Sequence, residues 1–327
     1  MSSQVLLPPP PVARESRPPR PSLNSDSERR SPFSAAWRFF LSYGWALLIV
    51  LAVALYLRAR DPNYTSAFMD ESVYIVYGRM FLSGHFEAPL DHPLQFSFGW
   101  YLWPALAAAA DRIGGLAGVR ELAAALSVVT VAAVFGFARR LFSLSVGLAA
   151  AAIFALLGPA VLASRIATRD AGAISFFALG LWLYVRAWQE EENSSWLAAA
   201  LSFFAAFLCK YIVAIYFPFL ALLALFKSRR AGLLFASPLS LFCAGYGFWH
   251  ARDLTALLSY ARAYGSLKAP TVEALKIYFT QRLDFWILLL LSLAAWKSLR
   301  GTSRRTVPLL WLGAAILPSF QLYSRAD

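Results

Sequence analysis

Charged residues and cysteines are both scarce in this chain of 327 residues. Only 15% of the residues are charged, whereas 59% are hydrophobic and the mean hydropathy is +0.56. A soluble domain is nearer half apolar and a quarter charged, so the composition excludes an ordinary soluble enzyme. The two cysteines, Cys209 and Cys243, lie in apolar runs, which excludes a disulfide framework. The three histidines are scattered, so we expect neither a metal site nor a cofactor.

Acidic residues are also fewer than basic ones, 18 against 30, and the net charge is +12. A strongly basic chain can indicate nucleic-acid binding. Here the basic residues flank long apolar runs, which is the charge pattern of membrane topology. We therefore expect membrane lipids, and no nucleic acid, as partners.

The apolar runs themselves predict an all-α, polytopic membrane protein with about nine transmembrane helices. The first run covers residues 39–57, and a helix of that length crosses a hydrocarbon core of roughly 30 Å. The other predicted spans are 120–138, 143–164, 170–187, 195–209, 211–226, 231–250, 284–299 and 306–323. We divide the stretch 195–226 at Lys210 because a lysine inside a lipid-facing helix is costly.

The regions outside the spans define the domain organisation. Residues 1–38 are rich in Pro, Ser and Arg and are expected to form a disordered tail, so the membrane domain covers 39–327. A large outer loop is predicted at 58–119, and a further outer segment at 251–283. This arrangement places the amino terminus in the cytoplasm.

The outer loop is expected to contain interfacial helices. Residues 97–115 are apolar enough to span, but they also suit a helix lying flat, with Trp100 and Trp103 at headgroup level. The positive-inside rule places the excess of Lys and Arg on the cytoplasmic face. Most of the basic residues between the spans fall on the same face as the amino-terminal tail only if 97–115 lies flat. We therefore predict that this segment does not cross the membrane.

A carboxylate pair in the outer loop is the first candidate site. Asp70 and Glu71 begin a helical pattern that ends near Gly84. One interpretation is that Asp70 is only a helix N-cap. The other is that the pair lies just above the membrane, where one carboxylate acts as a general base.

Two further outer segments carry cations. Arg165, Arg169 and Asp170 lie at a junction between predicted spans. Arginines there either anchor helix ends or bind phosphate, with Asp170 orienting them or holding an acceptor. Lys210, followed by Tyr211, lies at the tip of the short helical hairpin, where the lysine either snorkels outward or is a functional intramembrane charge.

Two histidines complete the candidate residues. His92 lies in a DHP stretch and His250 ends the seventh span; each is more simply an interfacial residue than a ligand. All of these polar residues fall on the outer face when 97–115 lies flat. The expected outer cavity would suit a substrate with a phosphate at the membrane surface and a lipid tail in the bilayer.

The ordered set of motifs resembles the family 39 glycosyltransferases. The matching pieces are Asp70-Glu71 before a Tyr-rich helix and Gly84, His92-Pro93 before a Trp-rich helix, Arg120, RRLF at 139–142, SRIATRDA at 164–171 and CKY at 209–211. The resemblance runs from about residue 36 to residue 250. These are integral membrane enzymes of the GT-C fold, related to protein O-mannosyltransferases and lipid A aminoarabinose transferases.

The resemblance implies a GT-C-like helical bundle in the bacterial plasma membrane, with its active site on the outer face. It implies inverting transfer of a sugar from a polyprenyl-phosphate donor to a protein, lipid or polysaccharide acceptor. The implied roles are as follows: Asp70 is the general base, Glu71 supports it, Arg165, Arg169 and Lys210 hold the donor phosphate, and Asp170 matches the second acidic position of the family. Tyr211, His92 and His250 complete the predicted substrate-binding set.

Two other classes stay open on the sequence. A lipid or solute transporter or flippase also needs charged residues in its spans, but here they cluster at one face and no inverted repeat is visible. A non-catalytic remnant of a transferase is the other alternative. The chain ends at Asp327 as a predicted span reaches the outer face, whereas family members usually continue, so we expect a carboxy-terminally truncated member.

Overall fold

The computed structural model describes residues 44–84, 102–251, 254, 255 and 259. Within these residues it contains helices and no strand, which confirms the all-α prediction. The elements are α1 (Trp45–Ala59), α2 (Met69–Leu82), α3 (Leu102–Leu141), α4 (Leu144–Leu156), α5 (Gly158–Arg165), α6 (Arg169–Glu190), α7 (Asn193–Cys209), a 3₁₀ helix (Tyr211–Tyr216), α8 (Phe217–Lys227) and α9 (Arg229–Trp249).

Three of the described helices, α3, α6 and α9, are long and apolar enough to cross a membrane. The bent pair α4 and α5 makes a fourth span if it is counted as one. The helices α1, α7 and the 3₁₀–α8 segment are apolar but shorter. The tail 1–38, most of the outer segment 251–283 and the predicted spans 284–299 and 306–323 lie outside the described residues, so the number of about nine spans stays a prediction.

Helix α3 is broken where the sequence separates the interfacial segment from the next span. Gly114 and Gly115 leave the helical conformation, and Gly115 has a φ of +61°, which glycine adopts without steric cost. A Cβ built on Gly118 would lie 2.7 Å from the carbonyl oxygen of Ala110. In a straight helix these two residues are about 12 Å apart along the axis. The chain therefore folds back sharply, which confirms two helices, while the flat orientation of the first stays a prediction.

Helix α2 confirms the predicted end and corrects the predicted start. It ends at Leu82 and is followed by Gly84 with a φ of +78°. The N-cap is Phe68, and its backbone N–H donates to Glu71 Oε2 at 2.8 Å. The interpretation of Asp70 as only an N-cap is therefore wrong, because Asp70 lies inside the first turn.

The predicted span 143–164 is not one continuous helix. The structure has two helices, α4 and α5, bent by 58°. Pro159 lies at the start of α5 and has no backbone N–H, so it cannot bond the carbonyl of Ala155 four residues earlier. The bend thus has a local cause in the sequence.

Arg58 fills the gap that this bend leaves. Its side chain is 2% exposed, and its Nη1 donates to the Ala155 carbonyl at 2.8 Å. Its Nη2 donates to the Phe154 carbonyl at 3.2 Å, and its Nε to Ser127 Oγ at 2.7 Å. A cation at the carboxyl end of a helix also interacts favourably with the helix dipole. One arginine therefore joins α1 to α3 and α4.

The division at Lys210 is confirmed. Helix α7 ends at Cys209, and Lys210 is extended, with φ −155° and ψ 113°. The chain then continues as the 3₁₀ helix before Pro218 opens α8. The extended residue turns the lysine side chain out of the helical pattern.

Close packing fixes α2 and α6 against their neighbours. A Cβ on Gly78 of α2 would lie 1.8 Å from the Pro104 carbonyl oxygen of α3, so the two helices touch through their backbones. The ring of Tyr184 on α6 packs edge-on against Trp196 at 4.9 Å, and its hydroxyl donates to the Leu220 carbonyl at 2.8 Å. These contacts set the positions of the helices that carry the polar residues described below.

We predict that Arg58→Met lowers the thermal stability of the protein in detergent by about 2–3 kcal/mol, because the carbonyls of Phe154 and Ala155 lose a charged donor. The matched control is Arg60→Met, since Arg60 is exposed two positions further on. Equal unfolding temperatures for the two variants would contradict the role assigned to Arg58.

Candidate active site

A buried ion pair lies at the centre of the polar region. Glu71 is 0% exposed and Arg120 is 2% exposed. Arg120 binds the carboxylate in a fork, with Nε to Oε1 at 2.9 Å and Nη2 to Oε2 at 2.8 Å. The backbone N–H groups of Ala167 and Phe68 each donate to the same carboxylate at 2.8 Å. Glu71 therefore accepts four hydrogen bonds and connects α2, α3 and the turn before α6.

Arg120 also orders the loop between α1 and α2. Its Nη1 donates to the carbonyls of Pro62 at 2.7 Å and Thr65 at 2.9 Å, and its Nη2 to that of Ser66 at 3.1 Å. Its guanidinium lies 5.0 Å from the ring centroid of Tyr64. The loop that leads to Asp70 is thus held by a single side chain.

The surroundings of Glu71 keep it ionised. Burial by itself raises the pKa of a carboxyl group. The hydrogen bonds from Arg120, Ala167 and Phe68, together with the positive charge of Arg120, outweigh burial and hold the pKa of Glu71 below its ordinary value. A carboxylate whose oxygens already accept four hydrogen bonds is suited to positioning and not to accepting a proton.

Asp70 differs from its neighbour. It is half-buried, and it makes no hydrogen bond or ion pair with the residues that the structure describes. Tyr74 lies one helical turn further along the same face of α2. Burial raises the pKa of Tyr74 to about 12, and Arg169, Asp70 and Asp170 all act on it electrostatically. Asp70 is therefore a carboxylate available to a substrate beside two residues of α6.

The first turn of α6 and the tip of the α7–α8 hairpin meet at this point. The guanidinium of Arg169 lies 6.0 Å from the ring centroid of Tyr74. Asp170 forms an ion pair with the ammonium of Lys210. The two side chains are 38% and 32% exposed, so the pair is accessible to solvent.

The structure thus brings together four of the residues predicted from the sequence. Asp70, Arg169 and Asp170 act on Tyr74 electrostatically, and Lys210 pairs with Asp170, so two cations accompany two anions. We call these four residues with Tyr74 the charged cluster.

Arg165 has a different environment. Its Nη2 donates to the Arg60 carbonyl at 3.2 Å, and its guanidinium lies 4.4 Å from the ring centroid of Tyr64. It therefore contacts the loop that Arg120 orders. Its link to the charged cluster runs through the turn at 166–168 that precedes Arg169.

Tyr211 and His250 belong to an aromatic cluster beside Lys210. The hydroxyls of Tyr211 and Tyr246 are hydrogen-bonded, and the rings of Tyr246 and His250 lie 4.7 Å apart. Phe207 packs against Tyr211 at 5.1 Å. Sequence reasoning missed Phe207 and Tyr246, although the spacing of Tyr246 and His250, four residues apart on one helix, was a usable signal. The predicted residue His92 lies outside the described residues.

Trp103 packs between the two helices that carry Asp170 and Cys209. A Cβ on Gly172 would lie 3.0 Å from Cys209 Sγ and 3.1 Å from the Trp103 ring. Trp103 is fully buried in the protein, because this glycine leaves room for the indole between α6 and α7. Its depth at headgroup level stays a prediction.

Among residues 44–84 and 102–251, no group of three or more His, Cys, Asp or Glu side chains is arranged to hold a metal ion.

Comparison with protein families matches residues 91–248, just under half of the chain, to the model of the dolichyl-phosphate-mannose-protein mannosyltransferases. The matched segment includes Arg120, Arg169, Asp170 and Lys210, and it begins after Asp70. Comparison with curated proteins gives no match. Together with the apolar helices, the family match suggests a membrane glycosyltransferase.

We predict that Glu71→Gln destabilises the protein by about 3–5 kcal/mol, because it leaves the buried Arg120 without its counter-charge. Glu121→Gln is the matched control, since Glu121 is exposed beside Arg120. The measurement is the thermal unfolding of both variants in detergent.

The pH dependence gives a second check on the same variant. Because the pKa of Glu71 is lowered on folding, its stabilisation is complete above the ordinary value of about 4.3 and is lost as the pH falls through the folded-state pKa. The stability gap between wild type and Glu71→Gln must therefore be constant near neutrality and shrink in acid. A gap that grows in acid would contradict an ionised Glu71.

Proposed function

We propose that the chain is an integral membrane glycosyltransferase that moves a sugar from a polyprenyl-phosphate donor to an acceptor on the outer face of a bacterial plasma membrane. The observation that carries the proposal is that Asp70, an available carboxylate, acts on Tyr74 together with Arg169 and with Asp170, which pairs with Lys210. The family match over 91–248 and the membrane-length helices support the same class.

Asp70 is the general base of the proposed reaction. A base must reach the proton of the acceptor hydroxyl and must have an oxygen free to receive it. Glu71 fills all four of its hydrogen-bond directions with Arg120, Ala167 and Phe68, whereas Asp70 fills none among the described residues. Glu71 is therefore the positioning residue, which fixes the first turn of α2 and with it the direction of Asp70.

The cations of the charged cluster stabilise the leaving phosphate. Negative charge grows on the phosphate as the bond to the sugar breaks, and fixed cations aimed at it lower the barrier. Within the cluster, Lys210 pairs with Asp170, and Arg169 lies against the ring of Tyr74. We propose that the donor phosphate takes the place of Asp170 at the Lys210 ammonium, which leaves Asp170 to bind the acceptor or sugar hydroxyls.

The bonds of the reaction balance without a further reactant. The acceptor oxygen forms a bond to the anomeric carbon as the bond from that carbon to the phosphate oxygen breaks, and the hydroxyl proton passes to Asp70. A single displacement of this kind inverts the anomeric carbon. Arg165, Tyr211, His92 and His250 are proposed to line the substrate path, and the polyprenyl chain stays in the lipid.

We predict that Asp70→Asn lowers sugar transfer by at least about 10²-fold, the contribution of a well-placed general base, while the protein still folds. The assay is transfer from a radiolabelled polyprenyl-phosphate donor in proteoliposomes. Asp111→Asn is the control, since Asp111 forms an ion pair with Arg79, at 2.5 Å, and is not part of the charged cluster. Full transfer by Asp70→Asn would remove Asp70 as the base, and lipid movement without cleavage would favour a flippase.

We further predict that Lys210→Ala weakens donor binding by about 10–100-fold, as expected for the loss of a charge-assisted contact. Lys227→Ala is the matched control, because Lys227 forms its ion pair with Glu191 at the other end of the bundle. Binding is measured by titration of the polyprenyl-phosphate donor. Unchanged donor affinity in Lys210→Ala would contradict the phosphate role.

A further inference from the structure

A second polar region lies at the end of α3 that is far from the charged cluster. Arg120 and Arg139 belong to the uninterrupted part of this helix after Gly115. At 1.5 Å per residue they lie about 28 Å apart along the axis, close to the thickness of a hydrocarbon core. Arg139 is therefore at headgroup depth in the leaflet opposite to Asp70.

A groove of about 600 Å³ runs between α3 and α6 at this end. Its wall is apolar, from Val129, Phe135, Leu179 and Trp182, and Arg139 and Arg140 line one end of it. A Cβ on Gly136 would lie 2.6 Å from the Trp182 ring, so the indole rests directly on the α3 backbone. The volume is in the range of ligand pockets, about 300–1,000 Å³.

The length of the groove matches one leaflet. Val129 and Arg139 are separated by about 15 Å along α3, which is half of a hydrocarbon core of roughly 30 Å. Both helices are long and apolar enough to cross the membrane, and Val129 in the groove wall is exposed. A single acyl chain that lies parallel to α3 matches the length of the groove.

The basic end of the groove supplies the complementary charge. The guanidinium of Arg139 lies 6.0 Å from the ring centroid of Phe135, which places it over the groove wall. Arg140 is held at the rim, with Nη2 bound to Glu190 at 2.7 Å. Guanidinium groups at headgroup depth above an apolar slot suit a phosphate with a hydrocarbon chain below it.

We propose that the α3–α6 groove is a binding site for a phospholipid with an anionic headgroup, drawn from the leaflet opposite to Asp70. Arg139 binds the phosphate and the apolar wall takes one acyl chain. The bound lipid bridges α3, which carries Arg120, and α6, which carries Arg169 and Asp170. The proposal does not depend on the glycosyltransferase function.

The test is lipid retention by the full chain in native mass spectrometry, with phosphatidylglycerol and phosphatidylcholine of identical acyl chains. Wild type should retain phosphatidylglycerol in preference. Arg139→Ala should lower this retention by about fivefold, the usual effect of one basic residue at a membrane surface. Arg230→Ala is the charge control, because Arg230 is exposed at the start of α9 and does not line the groove.

A second variant tests the acyl chain. Ala132→Phe fills the groove and should lower the retention of phosphatidylglycerol, whereas Ala125→Phe, at an exposed position of α3 outside the groove, should not. Thermal unfolding in detergent gives an independent readout, since a lipid bound to the folded state raises the unfolding temperature. Phosphatidylglycerol should raise it for wild type and Arg230→Ala, and fail to do so for Arg139→Ala.

Three results would overturn the proposal. The first is equal retention of the two phospholipids by wild type. The second is an equal loss of phosphatidylglycerol retention in Arg139→Ala and Arg230→Ala. The third is displacement of phosphatidylglycerol by an equal concentration of polyprenyl phosphate. The last result would assign the groove to an isoprenoid phosphate. None of the three bears on Asp70, so failure here and failure of the proposed transfer reaction are distinguishable.

Discussion

The ion pair of Glu71 and Arg120 is the interaction on which the rest of the polar region depends. Both side chains are buried, and such a pair is stable only when the remaining donors and acceptors are also satisfied. Here they are, through Ala167, Phe68 and the carbonyls of the α1–α2 loop. The pair therefore fixes a loop, the start of α2 and the turn before α6 in one arrangement. The charged cluster lies where these segments meet.

Two adjacent carboxylates lie in different environments, and we propose different roles for them. Successive residues on a helix point about 100° apart, so Glu71 faces the buried Arg120 while Asp70 faces Tyr74 and the first turn of α6. The same geometry gives each acid a separate role in the proposed mechanism. One holds the helix in place, and the other is left with oxygens that a substrate can use.

Local features of the fold were predictable from the sequence, and long-range ones were not. Two glycine positions mark the break in α3 and the end of α2, and a lysine within an apolar run marks the division at Lys210. The bend after α4 follows from Pro159 but was overlooked in favour of one long apolar run. The partners of Arg58 and Arg120 are largely backbone carbonyls, which carry no mark in a sequence. The burial of Trp103 is likewise hidden in the sequence, because the glycine that makes room for its ring, Gly172, is distant in the chain.

The central claim is that Asp70 and Lys210 act on one bound substrate, and a single structure tests it directly. The measurement is a cryo-electron-microscopy structure of the full chain in a lipid nanodisc with a non-cleavable phosphonate analogue of the polyprenyl-phosphate sugar. The account predicts the phosphonate in contact with the Lys210 ammonium and the Asp70 carboxylate beside the anomeric carbon. A headgroup bound elsewhere, or Asp70 and Lys210 facing separate openings, would contradict it.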